Sequence, residues 1–203
     1  MHPSQDRMLR ALHPIIHPQG PVRRAAVMTL LCVAALPGCH GNNAAPAAAG
    51  ETSMELTTSS FHDGRIPPEF TCDGADRSPQ LAWTAPPAAT KSLTLIVTDP
   101  DAPGGTFVHW VLYNLPTTLT ELYTGVPTQA QLSDGSRQGR NDFGRTGYGG
   151  PCPPSHSTHR YIFDLYALDI SLSLQPGATR QQVESAIKGH IQAHAQLIGR
   201  YGR

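Results

Sequence analysis

Residues able to do chemistry concentrate in two short segments of the chain. Residues 98–110, TDPDAPGGTFVHW, hold Asp99 and His109, and residues 147–161, GYGGPCPPSHSTHRY, hold His159. Prolines fix φ and so hold neighbouring carboxylates in place. Glycines let a backbone approach a ligand, and their successive N–H groups can form an anion-binding nest. Together with imidazoles that can take up a proton, these prolines, glycines and carboxylates indicate a small anion-binding site. The alternative is that the two segments are ordinary turns with incidental histidines.

The same side chains allow two catalytic interpretations. Asp99, Asp101, His109 and His159 are of the types that hold a metal ion for phosphoester hydrolysis, but no tight spacing such as H-E-x-x-H accompanies them. A serine nucleophile within residues 155–159 lacks the G-x-S-x-G elbow that would support it. We therefore expect no catalytic residue, no metal and no cofactor, with a metal-dependent hydrolase as the weaker alternative.

The composition excludes several classes of protein. The chain has 203 residues, with 15 Lys and Arg against 15 Asp and Glu, and 19 each of Gly and Pro. Balanced charge offers no basic surface to the phosphates of a nucleic acid, so we expect no such partner. Frequent Gly and Pro favour a loop-rich β domain over a helical bundle, and the length suits one domain plus an extra segment.

The first part of the chain is typical of an exported protein. Arg23 and Arg24 precede an apolar run over residues 25–36, which is shorter than the roughly 20 residues that a membrane span needs. The run is followed by Pro-Gly-Cys, which is similar to the lipobox of bacterial lipoproteins apart from its proline. We expect Cys39 to be lipidated; a cleaved signal without lipid and an uncleaved anchor are the alternatives.

These signals divide the chain into three parts. We expect a signal peptide with a lipobox over residues 1–39, a flexible tether over 40–52 and a folded domain over 53–203. The protein would be a membrane-anchored lipoprotein of the cell envelope facing the periplasm, or a secreted one. Cys72 and Cys152 are the two cysteines of the expected domain. In an oxidising compartment they are candidates for a disulfide, with two separate buried thiols as the alternative.

Three short runs rich in β-branched residues predict strands over residues 92–98, 108–114 and 161–168. Pro- and Gly-rich stretches separate these runs. Because no helical pattern alternates with the strands, the sequence favours a mainly β fold over a parallel α/β sheet.

One helix is predicted near the C-terminal end. Thr179 begins a capping box ahead of an apolar stripe, and Gly189 is suited to end the helix. After Gly189 apolar and polar residues alternate, which predicts a strand ending near Tyr201. His190 and His194 would share its polar face, which we interpret as a solvated surface rather than as a metal site.

Together these motifs resemble the phosphatidylethanolamine-binding protein family, in its bacterial and archaeal Raf kinase inhibitor-like branch. The resemblance is carried by residues 70–74 (FTCDG), 78–83 (SPQLAW), 99–103 (DPDAP), 109–114 (HWVLYN), 141–144 (NDFG), 149–154 (GGPCPP), 159–161 (HRY) and 189–191 (GHI). It implies a sandwich of antiparallel β-sheets, a short helix in the C-terminal region and a small pocket at one end. In the family this pocket binds phosphate, acetate or a phosphoethanolamine headgroup.

Matched residue by residue, the resemblance implies a ligand pocket formed by Asp99, Asp101, Phe107, His109, Pro153, Pro154, His159 and Tyr161. It also implies that Arg160 pairs with an acid such as Asp101. Asp99 is expected to orient an imidazole, or else to meet the amine of a headgroup. Ser157 departs from the pattern, because relatives usually keep a glycine there. A serine with positive φ would be strained, so we expect a rearranged loop.

The resemblance implies a non-catalytic binding protein, with an output such as inhibition or scaffolding. The expected ligand is a small anion or a phospholipid headgroup, and contact with the membrane would come only through the lipid anchor. A protein-interaction module resembling a protease inhibitor, with an incidental pocket, is the alternative. Relatives often form homodimers, and the sequence leaves the oligomeric state open.

Overall fold

The computed structural model describes residues 53–203. Within this range the elements are β1 (Leu56–Thr57), β2 (Leu81–Trp83), β3 (Ser92–Asp99), β4 (Phe107–Leu115), β5 (Glu121–Leu122), β6 (Arg137–Gln138), β7 (Thr158–Leu168), α1 (Arg180–Ile187) and β8 (Ile191–Gly202), with a 3-10 turn at Pro68–Phe70. The expected signal peptide, the lipobox at Cys39 and the tether over residues 40–52 lie outside the described residues.

The strands form two antiparallel sheets, which confirms the predicted fold class. A smaller sheet has the order β1-β2-β5, and a larger sheet has the order β6-β4-β3-β7-β8. The three predicted strands are β3, β4 and β7, and they form the middle of the larger sheet. The remaining strands β1, β2, β5 and β6 have only two or three residues each, too few for an alternating pattern to be recognised in the sequence.

Strand β3 lies at the centre of the larger sheet, and all eight of its residues are buried. Successive side chains of a strand point to opposite faces. Leu93, Leu95 and Val97 therefore pack in the core shared with the smaller sheet, whereas Ile96 packs with Val183 of α1 on the other face. Burial on both faces explains why β3 has a continuous apolar run instead of an alternating one.

The helix and the last strand follow the predicted order. The Thr179 hydroxyl accepts the Gln182 N–H and the Gln182 side chain accepts the Thr179 N–H, forming the predicted capping box. Gly189 has φ 80°, a left-handed conformation that suits glycine and reverses the chain before β8. No helix within residues 53–203 is long and apolar enough to cross a bilayer.

One detail of the last strand differs from the predicted alternation. Ile191 was expected on the buried face, but its side chain is 44% exposed. Leu168 pairs with Ile191 while Ala167 pairs with Ala193, so Gln192 is an extra residue that breaks the alternation. His194, further along β8, lies on the exposed face as predicted.

A disulfide fastens the segment before β7 to the turn after the 3-10 element. Cys72 and Cys152 are bonded, with 5.4 Å between their Cα atoms and a sequence separation of 80. The Cys72 N–H also donates to the carbonyl of Pro151, at 3.1 Å. Both cysteines are exposed, so a reductant can reach the bond.

Opening the Cys72–Cys152 bond should lower the stability of the domain. A cross-link closing a loop of this length is worth about 4 kcal/mol in the chain-entropy model. We expect a dithiol reductant to lower the Tm of the wild-type protein by several degrees, as measured by circular dichroism. A Cys72→Ser/Cys152→Ser double variant should begin at the lower Tm and not respond to the reductant, which controls for other cysteines. An unchanged wild-type Tm after complete reduction would contradict the expectation.

Candidate functional site

A cavity of about 230 Å³ opens at the end of the larger sheet where β3 finishes and β4 and β7 begin. Its lining residues are Asp99, Ala102, Pro103, Phe107, His109, Phe143, Cys152, Pro153, Pro154 and His159. Six of the eight residues expected in the pocket are in this set. Asp101 and Tyr161 are not, and both lie behind the wall instead.

His109 reaches the cavity because β4 contains a bulge at this residue. Val97 pairs with Trp110 and Thr98 pairs with Val108, so His109 has no partner on β3. The extra residue inverts the alternation, and Val108 packs on the α1 side while Trp110 packs toward the smaller sheet. A bulge of this kind re-aims a side chain and bends its strand.

Two reciprocal hydrogen bonds hold His109 against Gly149. The carbonyl of Gly149 lies 2.7 Å from His109 Nδ1, and the carbonyl of His109 accepts the Gly149 N–H at 3.0 Å. His109 is only 3% exposed. Burial lowers the pKa of His109, and the Gly149 carbonyl and the charge of Asp99 oppose this in part. The ring is therefore neutral near pH 7.

Asp99 fixes the second imidazole of the site. Its Oδ2 lies 2.7 Å from Nδ1 of His159, and its Oδ1 accepts the Asp101 N–H at 2.8 Å. Asp99 is 3% exposed and His159 is 6% exposed. This geometry corresponds to the imidazole-orienting role expected of Asp99.

Asp101 braces the loop between β3 and β4 from outside the cavity. Arg160 Nε and Nη2 donate to its two oxygens at 2.9 and 2.7 Å, and the Arg160 backbone N–H donates at 2.9 Å. The predicted Arg160–Asp101 pair is thus present in the structure. These Arg160 contacts hold the pKa of Asp101 well below its usual range.

Tyr161 supports the site from behind His109. The two rings meet edge to face with centroids 5.1 Å apart, and Tyr161 is 1% exposed. Burial, followed by the charge of Asp99, raises the pKa of Tyr161, so its phenol stays protonated.

Two aromatic rings form the apolar rim of the cavity. Phe107 and Phe143 meet edge to face at 4.8 Å, and each also contacts the His109 ring. Phe143 is 41% exposed and was not predicted as a site residue. An exposed phenylalanine between Asp142 and Gly144, within a polar loop, is the sequence signal that could have identified it.

The prediction that the N–H groups of Gly149 and Gly150 form an anion-binding nest is wrong. The Gly149 N–H is bonded to the carbonyl of His109, and the Gly150 N–H donates to Asp76 Oδ1 at 2.6 Å. A Cβ on Gly150 would lie 2.4 Å from the carbonyl oxygen of Phe70. These glycines serve close packing of the wall, and their N–H groups are not directed to a ligand.

Ser157 does not adopt the positive φ that would strain a serine. The left-handed residue of this loop is His156, with φ 64°, and Ser157 is outside that region. Ser157 Oγ donates to the carbonyl of Pro154 at 2.7 Å, and the His156 N–H donates to the carbonyl of Arg203 at 2.7 Å. The left-handed turn of this loop is therefore made by His156, and Ser157 is unstrained.

Two further histidines on the outside of the sheet pair with acids. His190 Nδ1 lies 2.8 Å from Asp169, and His194 Nε2 lies 2.8 Å from Asp164. Both histidine side chains are 41% exposed, as expected of a solvated surface. Within residues 53–203 no group of three or more His, Cys, Asp or Glu is arranged to hold a metal ion.

Comparison with known proteins decides the family. The model of the phosphatidylethanolamine-binding protein family matches residues 57–202. A UPF0098 protein of Methanothermobacter thermautotrophicus is 52% identical over 151 residues, which cover 74% of this chain and 99% of the relative. The chain belongs to the phosphatidylethanolamine-binding protein family. The resemblance inferred from the motifs is confirmed.

Solved structures of the family share the fold described above. A phosphatidylethanolamine-binding protein homologue from Chlamydia trachomatis is 41% identical with a TM-score of 0.68, covering 74% of this chain and 98% of its own. YbcL of E. coli, described as a member of the mammalian family, is 29% identical with a TM-score of 0.68, covering 74% and 99%. Family membership supports a binding-protein kind of function.

The Asp101–Arg160 pair should make a pH-dependent contribution to stability. Because the pKa of Asp101 in the folded protein lies below its ordinary value of 3.8, the ionised carboxylate stabilises the fold fully above that value. The contribution is lost as the pH falls toward the folded pKa. Since the pair is exposed, we expect Asp101→Asn to lower the Tm by no more than about 3 °C at pH 6. The difference in Tm between wild type and variant should narrow as the pH falls toward about pH 2.5.

Melting curves of wild type and Asp101→Asn across this range provide the measurement. Glu55→Gln, which removes a carboxylate from an exposed position, is the matched control and should show no such narrowing. A gap that stays constant from pH 6 to about pH 2.5 would mean that the ionised pair does not stabilise the fold.

Proposed function

We propose that this protein is a non-catalytic binding protein of the cell envelope whose cavity takes phosphate or the phosphoryl group of a lipid headgroup. One observation carries the proposal. Two buried imidazoles, His109 and His159, line the cavity, and each is fixed from behind through Nδ1. Fixed rings with one nitrogen left toward a cavity provide a preorganised site for a small polar ligand.

The size of the cavity supports a small ligand. Its volume of about 230 Å³ is below the roughly 300–1,000 Å³ of pockets for drug-sized molecules. A phosphoryl group or a headgroup is the appropriate scale. Asp99 orients His159 with one oxygen and accepts the Asp101 N–H with the other, and we expect the phosphoryl group to be the part that the two imidazoles recognise.

The envelope location is supported by two features of the chain. The N-terminal basic and apolar segments and Cys39 resemble a lipoprotein signal. The exposed Cys72–Cys152 bond is of a kind that persists in oxidising compartments. We infer that ligand binding there serves inhibition or scaffolding of an envelope partner.

Binding to the cavity should be detectable by calorimetry and by thermal shift. We expect phosphate and phosphoethanolamine to raise the Tm to a similar extent and ethanolamine to have no effect. A ligand at a hundredfold excess over its Kd adds about 2.7 kcal/mol to the free energy of unfolding. His159→Gln should abolish both shifts, because it removes the imidazole that Asp99 orients.

His194→Gln is the matched control, since it removes another Asp-paired histidine from the exposed face of the sheet. It should leave both shifts unchanged. If neither phosphate nor phosphoethanolamine binds the wild-type protein, the cavity is not an anion site. A response to ethanolamine alone would instead assign recognition to the amine.

Replacing Cys39 should release the protein from the membrane. The thiol of this residue is the acceptor of the lipid in the proposed anchor, so Cys39→Ser removes the attachment point. We expect the wild-type chain in the membrane fraction with a lipid on Cys39, and the variant in the soluble fraction without one, as measured by fractionation and by mass spectrometry of the N-terminus. Cys32→Ser, within the apolar run, is the control and should remain membrane-bound. An unmodified Cys39 in the wild-type protein would disprove the lipid anchor.

A further inference from the structure

The cavity has few groups that can donate a hydrogen bond to an anion. Within the described residues, its lining includes no Lys or Arg, and three of the ten lining residues are prolines, which have no N–H. The neighbouring glycine N–H groups are bonded to His109 and Asp76. The lining side chains that remain as possible donors to a ligand are the two imidazoles.

The hydrogen-bond pattern decides the tautomer of His109. A carbonyl oxygen can only accept, so the 2.7 Å contact with Gly149 requires a hydrogen on Nδ1 of His109. In the neutral ring Nε2 then carries a lone pair and no hydrogen. Nε2 has no partner among residues 53–203, and the ring is 3% exposed and lines the cavity. Burial, which lowers the pKa of His109, favours this neutral form.

His159 has the same arrangement. Asp99 accepts from the Asp101 N–H with Oδ1, so its Oδ2 is the acceptor for Nδ1 of His159. Nε2 of His159 therefore carries a hydrogen only when the ring is an imidazolium. A neutral His159 presents a second lone pair to the cavity.

The charged and titratable groups around the two rings do not add a positive charge to the wall. These groups are Asp99 at the end of β3, Asp101 in the following loop, Asp142 in the loop after β6, Arg160 and Tyr161 on β7, and Tyr201 on β8, which pairs with His159. Arg160 is bound by Asp101, and the Tyr161 phenol is protonated. The carboxylates of Asp99 and Asp142 face the His109 region, so a fully ionised anion meets the lone pair of His109 beside two negative charges.

We propose that the cavity selects oxyanions that bring their own proton, such as hydrogen phosphate or a phosphate monoester monoanion, over fully ionised ones such as sulfate. The P–OH hydrogen of such a ligand donates to Nε2 of His109. A ligand without a proton binds only when Nε2 of His109 takes one proton from solvent. This inference rests on the proposed anion-binding function and narrows its ligand to inorganic phosphate or a phosphate monoester such as phosphoethanolamine, because the phosphodiester of an intact phospholipid carries no P–OH hydrogen.

Sulfate and inorganic phosphate are matched probes for this test. Phosphate carries at least one proton between pH 6 and pH 7, whereas sulfate carries none, so any pH dependence of sulfate binding belongs to the protein. For uptake of one proton, the sulfate affinity falls about tenfold per pH unit above the pKa of the group. Calorimetry of the full chain should show that fall, while the phosphate affinity changes less than about twofold.

A second measurement counts the protons directly. Sulfate titrations at pH 7 in buffers of different ionisation enthalpy should report uptake of about one more proton than phosphate titrations do. If both anions bind and the ratio of their affinities does not change with pH, the selection for a protonated ligand is wrong while anion binding stands. If neither binds at pH 6, both proposals fail.

His109→Gln separates the imidazole from its surroundings. The side-chain amide places a permanent N–H near the position of Nε2. The sulfate affinity of this variant should therefore no longer fall by about tenfold per pH unit. His190→Gln removes an exposed histidine at the opposite end of β8 and should keep the wild-type dependence. Should His109→Gln fail to fold by circular dichroism, the wild-type sulfate-to-phosphate ratio decides the question alone.

Discussion

The bulge in β4, where His109 is an extra residue without a partner on β3, reverses the face on which the side chains before it lie. Without it, Val108 and Trp110 would lie on the same face of the sheet; with it they pack in different cores. The carbonyl of His109 accepts the Gly149 N–H. The bulged residue thus supplies the imidazole of the cavity and also a backbone hydrogen bond to the segment that forms the wall behind it.

A buried polar side chain elsewhere in the domain, that of Gln138, also has hydrogen-bond partners. Gln138 is fully buried; its Oε1 accepts the Trp110 indole N–H at 2.7 Å, and its Nε2 donates to the carbonyls of Pro127 and Gln129. An amide is the side chain that accepts and donates at once, so this position ties the long connection before β6 to the strand that carries the bulge. A leucine of similar size would leave three polar groups unpaired.

The sequence was sufficient for the large features and insufficient for the local ones. The apolar run of β3, the capping box at Thr179 and the alternation after Gly189 predicted their elements because each is a local pattern. The same motifs located Asp99, His109 and His159. The bulge at His109 could not be predicted, because it exists only as a mismatch between two strands. The glycines near residue 150 were assigned to a ligand because their N–H partners, His109 and Asp76, are distant in sequence.

In this pocket the hydrogen bonds that the imidazoles make within the protein determine which groups of a ligand they can bind. An imidazole has two nitrogens, and the partner of one fixes what the other offers in the neutral ring. Gly149 accepts from His109 and Asp99 accepts from His159, so the acceptors that give each buried ring its orientation also turn its remaining nitrogen into an acceptor. The hydrogen bonds that orient the imidazoles therefore weaken the binding of an anion to their neutral forms. An anion binds well only when either the ring or the ligand carries the additional proton.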